Sequence, residues 1–200
     1  MLSDSRARKP LSPGQVVDEA VKNGCSGIAF LMNDPLAAFP SFLRVARLAR
    51  ARGLLVGCSS NGCLSEASLS ELLPHLSFIN IGMKGLWDQS YRARGAPGIE
   101  PVLRNLGRLH ESGVHVEVSC ILTGQNREEV RDLARFLAGI SPHIPLQVMR
   151  FIPFEGVSIA HEPTIREAET LCEELGAVLD HVYLFNSPGT RYLHTRCPRC

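Results

Sequence analysis

The chain has 200 residues, of which 44% are hydrophobic and 20% are charged, as in ordinary soluble globular proteins. Its 21 Lys and Arg residues nearly balance its 20 Asp and Glu residues, so no basic footprint points to nucleic acid as a partner. No stretch approaches the ~18 apolar residues that span a bilayer, and residues 1–10 lack the apolar core of a signal peptide. We therefore expect a cytoplasmic protein with no membrane partner, in which the seven cysteines do not form a disulfide framework.

Short apolar segments alternate with helical patterns along the chain. Ser12 and Pro13 predict the start of a first helix, and Gly24 predicts its end. Six strands are predicted after it, at residues 27–31, 54–58, 78–83, 114–122, 146–151 and 182–185. Helices are predicted between these strands, at residues 38–52, 66–73, 99–112, 127–140 and 164–179.

This alternation is typical of repeated βα units with parallel strands. The strands read as nearly continuous apolar runs, which predicts that both faces of the sheet are covered. No G-x-G-x-x-G follows the first strand, which argues against an open dinucleotide-binding sheet and favours a closed or partly closed barrel. One feature of the pattern is unusual for such a barrel, because the chain begins on a helix with no strand ahead of it.

Polar side chains follow nearly every predicted strand. Right-handed crossovers bring the carboxyl ends of parallel strands to one rim, so residues from separate strands should meet there. The predicted rim residues are Asn33, Asp34, Ser60, Asn61, Lys84, Thr123, Asn126, Arg150 and Asn186. Asn, Ser and Asp are also common turn residues, so each has a purely structural explanation as well. Lys84 is harder to explain in that way, because it directly follows the apolar run 79–83.

Glu117 and Ser119 interrupt an otherwise apolar strand. A carboxylate inside a barrel strand needs a partner, and it often faces a ligand or an interior polar network. Arg150 is a possible partner, either for Glu117 or for the carboxylate of a ligand.

The cysteines divide into three groups. Cys25, Cys120 and Cys172 lie in apolar contexts and are predicted to be core residues. Cys58 and Cys63 flank the loop 59–62, where a thiol at the rim is possible. Cys197 and Cys200 form a C-x-x-C knuckle that suits zinc or iron but supplies only two thiolates.

Several motifs in order resemble those of radical S-adenosylmethionine (SAM) enzymes, closest to the activating-enzyme branch. That branch comprises pyruvate formate-lyase activating enzyme and the AmmeMemoRadiSam-system radical SAM proteins. The matching motifs are L-S-P-G-Q-V-V-D-E-A, G-I-A-F-L-M-N-D-P, N-I-G-M-K, E-P-V-L-R-N-L, G-V-H-V-E-V, R-F-I-P and C-P-R-C. The resemblance implies an α/β fold with a partial (β/α)6 TIM-type barrel over residues 1–189. A tail with the C-x-x-C knuckle would follow at residues 190–200.

The resemblance also implies which residues contact SAM at the carboxyl ends of the strands. Asn33 and Asp34 would hold its amino group, and Ser60 and Asn61 would contact its carboxylate or ribose. Lys84 would lie near the carboxylate or ribose as well. Glu117 and Arg150 would line the cavity wall, and Asn186 would lie near the adenine.

In such enzymes a [4Fe–4S] cluster cleaves SAM to a 5′-deoxyadenosyl radical that abstracts hydrogen from a substrate, which implies an electron donor and a protein substrate as partners. The usual C-x-x-x-C-x-x-C does not occur in these 200 residues, and Gly82 stands where Asp is usual in an Asp-x-Lys motif. We therefore expect the first strand and the cluster loop to be missing from this sequence.

The leading hypothesis is a radical SAM enzyme in its full-length form. The alternatives are a non-catalytic barrel remnant that binds a small molecule or partner, with zinc at Cys197 and Cys200, and a metal-free enzyme using Glu117 and Lys84.

Overall fold

The computed structural model describes residues 10–93, 95–195 and 197. Six strands run through this part of the chain: β1 Gly27–Phe30, β2 Leu55–Ser60, β3 Phe78–Met83, β4 His115–Leu122, β5 Leu146–Arg150 and β6 Val182–Phe185. Its α-helices are α1 Pro13–Lys22, α2 Phe39–Ala51, α3 Glu66–Leu72, α4 Asp88–Arg92, α5 Glu100–Glu111, α6 Arg127–Ile140 and α7 Ile165–Leu175. A short 3-10 helix, Pro35–Ala38, joins β1 to α2. No helix among the described residues is long and apolar enough to cross a membrane.

All six strands form one parallel sheet in the order β1-β2-β3-β4-β5-β6. Neighbours in the sheet are thus neighbours in the chain, which is the winding of a βα barrel. No pairing joins β1 to β6 among the described residues, so the sheet stays open between its two outer strands. The prediction of a parallel, partly closed α/β barrel is confirmed.

The first helix begins at the predicted capping residues, Ser12 and Pro13. At the start of α1, the Ser12 hydroxyl accepts from the backbone of Gln15, whose side chain accepts in turn from the Ser12 backbone, and Pro13 fits the first turn. Thr164 and Glu167 form the same reciprocal cap on α7, and the Thr164 N–H and hydroxyl lower the pKa of the Glu167 carboxyl. Helix α7 ends at Leu175, four residues earlier than predicted, where Gly176 caps it.

The two faces of the sheet differ, which corrects the prediction that both are covered. Alternate residues such as Ile79, Ile81 and Val118 lie under the helices and are almost completely buried. The opposite side, which we call the open face, carries the residues in between. These include polar or partly exposed side chains on three strands, namely Asn80, His115, Glu117, Ser119, Ile121 and Gln147. Only one face of the sheet therefore supports the hydrophobic core.

Candidate ligand site at the strand ends

The carboxyl ends of β1, β2 and β3 border a cleft of about 340 Å³. Its walls contain Leu31, Met32, Asn33, Asp34, Ser59, Ser60, Asn61, Gly82 and Lys84. Five residues predicted for the rim, Asn33, Asp34, Ser60, Asn61 and Lys84, therefore come together in one place. Ser59 and the exposed apolar pair Leu31 and Met32 also line the cleft and were not predicted, although they directly adjoin predicted residues.

Asp34 is held by three hydrogen bonds. Its Oδ1 accepts from the backbone N–H of Leu36 at 3.1 Å, which also caps the 3-10 helix. Its Oδ2 accepts from the Asn61 N–H at 2.8 Å and from the Ser60 hydroxyl at 3.2 Å. These bonds tie the end of β1 to the end of β2, so the carboxylate has a fixed position at the cleft.

The loop after β2 is held by hydrogen bonds with buried side chains. The buried Ser60 hydroxyl accepts from the Gly62 N–H, and the Asn61 side chain accepts from the Cys63 N–H. The buried amide of Asn105, on α5, donates to the carbonyls of Gly62 and Leu64. The role of Asn105 was not predicted. The one sequence signal for it is that a polar asparagine stands within the apolar stripe of α5. A loop fixed in this way loses little freedom when a ligand binds.

Lys84 lies across the cleft from these groups and is exposed. Its backbone N–H donates to the hydroxyl of the buried Tyr91 at 3.1 Å, which anchors the main chain. Its Nζ lies 3.3 Å from the point that a Cβ on Gly82 would occupy. Within the described part of the chain, Nζ makes no hydrogen bond or ion pair. The cleft thus joins a fixed carboxylate to an uncompensated ammonium, which suits a ligand that carries both charges.

A ladder of hydrogen bonds crosses the open face next to the cleft. Ser119 donates to the Asn80 side chain at 2.9 Å, and Asn80 donates to Gln147 at 3.2 Å. Gln147 then donates to Glu117 at 2.5 Å, and the other Glu117 oxygen contacts His115 Nε2 at 3.2 Å. Glu117 does face a polar network, as predicted. Asn80, Gln147 and His115 were missed, although their signal was the alternation of polar and apolar residues in β3, β4 and β5.

Arg150 does not pair with Glu117, which corrects that prediction. It is buried, and it donates to Glu162, to the carbonyls of Pro163 and Asn186, and to the Ser187 hydroxyl. The reason is register, because residues 147 and 149 face the open side and residue 150 therefore turns toward the helices.

Asn186 belongs to the same cluster as Arg150. Its backbone is in the left-handed region at φ 58°, and its side-chain amide donates to the Arg150 carbonyl at 3.0 Å. Thr123 and Asn126 likewise bond to each other at the start of α6. The structure therefore does not bring Arg150, Asn186, Thr123 or Asn126 into the cleft of β1–β3.

The cysteines that the structure describes do not form a site for an iron–sulfur cluster. Cys58, Cys120 and Cys172 are buried beneath the helices, and burial raises the pKa of each thiol to about 12, which disfavours the thiolate that binds iron. Cys25 is exposed, so its predicted place in the core is wrong, and Cys63 is half-buried. Cys197 is exposed, and Cys200 lies outside the described residues. No group of three or more His, Cys, Asp or Glu side chains in the described ranges is placed to hold a metal ion.

The described residues therefore do not fit a three-cysteine cluster. The cleft, in contrast, fits the amino-acid end of SAM, because an α-ammonium and an α-carboxylate are the two charges for which Asp34 and Lys84 are complementary.

Comparisons with known proteins agree with this fold. The family model of the radical SAM superfamily matches residues 2–137. An uncharacterised protein of Methanocaldococcus jannaschii is 26% identical over 199 residues, which cover 96% of this chain and 58% of that protein. The chain thus spans little more than half the length of this curated relative.

Two solved structures are similar in fold. A domain of the pyruvate-formate lyase-activating enzyme of Bacteroides vulgatus superposes with a TM-score of 0.65 at 16% identity, covering 80% of this chain and 98% of that domain. SuiB of Streptococcus suis bound to S-adenosylmethionine superposes with a TM-score of 0.67 at 13% identity, covering 88% of this chain and 44% of SuiB. The match to more than half of the residues shows that this chain belongs to the radical SAM superfamily.

Proposed function

We propose that the cleft of β1–β3 binds S-adenosylmethionine through its amino-acid end. The observation that carries the proposal is that two opposite charges line one cleft. Asp34 supplies a fixed carboxylate, and Lys84 supplies an ammonium that has no partner among the described residues. Radical SAM membership and the likeness to SAM-bound SuiB support the choice of this ligand over other zwitterions.

Each charged group has a distinct role in this proposal. Asp34 accepts from the SAM ammonium, since its position is set by Leu36, Ser60 and Asn61. Lys84 donates to the SAM carboxylate. The side chain of Asn33 and the side-chain NH2 of Asn61 remain available for further polar groups of the ligand. Ser60 has a supporting role, because its hydroxyl already donates to Asp34 and accepts from the Gly62 N–H.

Radical chemistry is proposed only for a protein that joins these residues to a three-cysteine cluster segment. When bound, a [4Fe–4S] cluster supplies the electron that cleaves SAM. The described residues contribute the binding and orientation of SAM. Anaerobic reconstitution with iron and sulfide should load almost no iron on this chain, and about four irons on a chain that carries such a segment. Loading of about four irons on the present 200 residues would contradict this division of roles.

Binding without radical chemistry is the second candidate function. It is favoured by the cysteine arrangement, which among the described residues offers no metal site. SAM binding alone does not separate the two candidates, whereas the iron measurement on the longer chain does.

A peptide or protein is the proposed substrate class for the radical enzyme. Apolar side chains project from the rim loops, with Met32 86%, Ile159 76% and Phe154 68% exposed. An exposed apolar rim is typical of a surface that contacts another chain. SuiB has been solved with its precursor peptide SuiA, a likeness that supports the proposal.

Isothermal titration of the purified chain with SAM tests the binding proposal. We expect saturable binding of one SAM per chain. Replacing Lys84→Met should weaken the affinity at least about tenfold, because a hydrogen bond to a charged group contributes about 1.5–3 kcal/mol. Stability should change by less than about 0.5 kcal/mol, since the ammonium is exposed.

Lys22→Met is the matched control, because Lys22 is an exposed lysine in the last turn of α1, outside the cleft. Its affinity for SAM should equal that of the unaltered chain. A folded chain that fails to bind SAM would sink the proposal, and so would a Lys84→Met variant that binds SAM as well as Lys22→Met does.

A further inference from the structure

A second cavity of about 280 Å³ opens at the same rim, between the ends of β3 and β4 and helix α6. Its walls are mainly apolar, formed by Met83, Cys120, Ile121, Val130, Leu133 and Phe151. Lys84 borders both this cavity and the cleft. The other cleft residues are not among its walls, so it is a separate compartment.

Two of the lining residues are charged, Lys84 and Glu129. The Lys84 Nζ lies beside Gly82, which lines the cleft, whereas the Glu129 carboxylate stands among the apolar walls of the cavity. Glu129 Oε1 accepts from the backbone N–H of Leu86 at 2.7 Å. Within the described residues, Glu129 forms no ion pair with a lysine, arginine or histidine, and its Oε2 accepts no hydrogen bond. The half-buried Glu129 thus keeps one carboxylate oxygen without a hydrogen-bond donor among the residues that the structure describes.

The backbone conformation at Gly85 makes room for the Glu129 carboxylate. Gly85 has φ 110°, and the Glu129 carboxylate occupies the space that a Cβ on Gly85 would fill. Thr123 and Asn126, which also line the cavity, bond to each other and offer no counter-charge. Burial keeps the pKa of the Cys120 thiol high, at about 12, so that wall is neutral.

We propose that this cavity binds a compact monovalent ammonium compound with an apolar body. The apolar walls would cover the body, and the free oxygen of Glu129 would accept from the ammonium. The volume lies just below the roughly 300–1,000 Å³ of typical ligand pockets, so the compound is small. The two sites share Lys84 as a border residue, but the amine site uses neither Asp34 nor the Lys84 ammonium, whose Nζ lies beside Gly82 in the cleft.

Benzylammonium and benzyl alcohol form a matched pair of probes, since they share one shape and differ in charge. Methionine methyl groups labelled with ¹³C report on both sites by NMR, because Met83 lines the cavity and Met32 lines the cleft. We expect benzylammonium to shift the Met83 signal saturably and to leave the Met32 signal unchanged. Its affinity should exceed that of benzyl alcohol about fivefold to tenfold, as expected for a charge-assisted hydrogen bond.

Glu129→Gln tests the role of the carboxylate without removing the acceptor for the Leu86 N–H. The preference for benzylammonium over benzyl alcohol should fall below about twofold in this variant. Glu128→Gln is the control, because Glu128 is the preceding residue on α6 and pairs with Arg131 on the exposed surface. It should keep the full preference.

Equal affinity for the two probes in the unaltered chain would overturn the proposal. Absence of a saturable Met83 shift would do the same, as would a preference that survives in Glu129→Gln. SAM titration of each variant separates the two sites, because Glu129→Gln should bind SAM normally whether or not the cavity binds the amine.

Discussion

The two ends of the strand rim carry similar polar residues and use them differently. At β1–β3, the Lys84 ammonium has no partner in the described part of the chain, and Asp34 faces a cleft. At β5–β6, Arg150 and Asn186 bond to each other's backbone, and Glu162 neutralises the guanidinium at 2.5 Å. The number of protein partners, more than the residue type, distinguishes a binding group from a structural one.

Burial explains this difference. Arg150 is only 7% exposed, and a buried charge costs several kcal/mol unless it is paired and hydrogen-bonded. Lys84 is exposed, so water solvates its charge and no partner is required. A ligand can replace that water without breaking a bond within the protein.

Breaking the β5–β6 cluster should have the largest effect on stability. We expect Arg150→Met to lower the free energy of unfolding by about 3–5 kcal/mol, because it leaves the Glu162 carboxylate and two carbonyls without their donor. Urea denaturation measures this loss. Arg166→Met, which changes an exposed arginine on α7, should cost less than about 0.5 kcal/mol. A loss below about 1 kcal/mol for Arg150→Met would show that the cluster is not structural.

Asp34→Asn should have an intermediate effect, because Asp34 combines structural bonds with a place at the cleft. Its Oδ2 accepts from Ser60 and Asn61, and an amide nitrogen cannot accept. We expect a loss of about 1–2 kcal/mol in the free energy of unfolding, together with weaker SAM binding. Asp18→Asn, at an exposed ion pair with Arg52, should change neither urea denaturation nor SAM titration. An unchanged SAM affinity in Asp34→Asn would remove Asp34 from the proposed site.

Gly82→Ala should have the smallest effect. The added Cβ would lie 3.3 Å from Lys84 Nζ, and the end of a flexible side chain can move aside. We expect stability to change by less than about 0.5 kcal/mol and SAM affinity by less than about threefold. Gly85→Ala is the contrast, because φ 110° and the Glu129 carboxylate both oppose a side chain, and it should cost more than about 1 kcal/mol. Equal losses in the two alanine variants would contradict the geometry described at the end of β3.

The sequence was sufficient to predict the sheet. Strands β3 and β6 and helix α6 have the predicted bounds, because apolar periodicity and helix caps are local signals. The gathering of Asn33, Asp34, Ser60, Asn61 and Lys84 was also predictable, since parallel strands place their carboxyl ends on one rim.

The orientation of side chains at the rim was not predictable in the same way. The partners of Arg150 lie 12 to 37 residues further along the chain, and no local pattern reveals them. The exposure of Cys25 also depends on tertiary packing, because it follows Gly24 in the turn between α1 and β1 and the helices do not cover it. The alternation of polar and apolar residues in β3–β5 indicates one uncovered face of the sheet. The prediction of two covered faces followed the continuous apolar runs of the other strands instead.

The most direct test of the central claim is the ¹³C-methyl signal of Met32 during titration with SAM. Met32 is largely exposed and lines the cleft beside Asp34, so SAM bound there must change its surroundings. We predict a saturable shift of the Met32 signal that is much reduced in Lys84→Met at the same SAM concentration and retained in Lys22→Met. Saturable SAM binding that leaves the Met32 signal unchanged would place the ligand elsewhere on the protein and contradict the account.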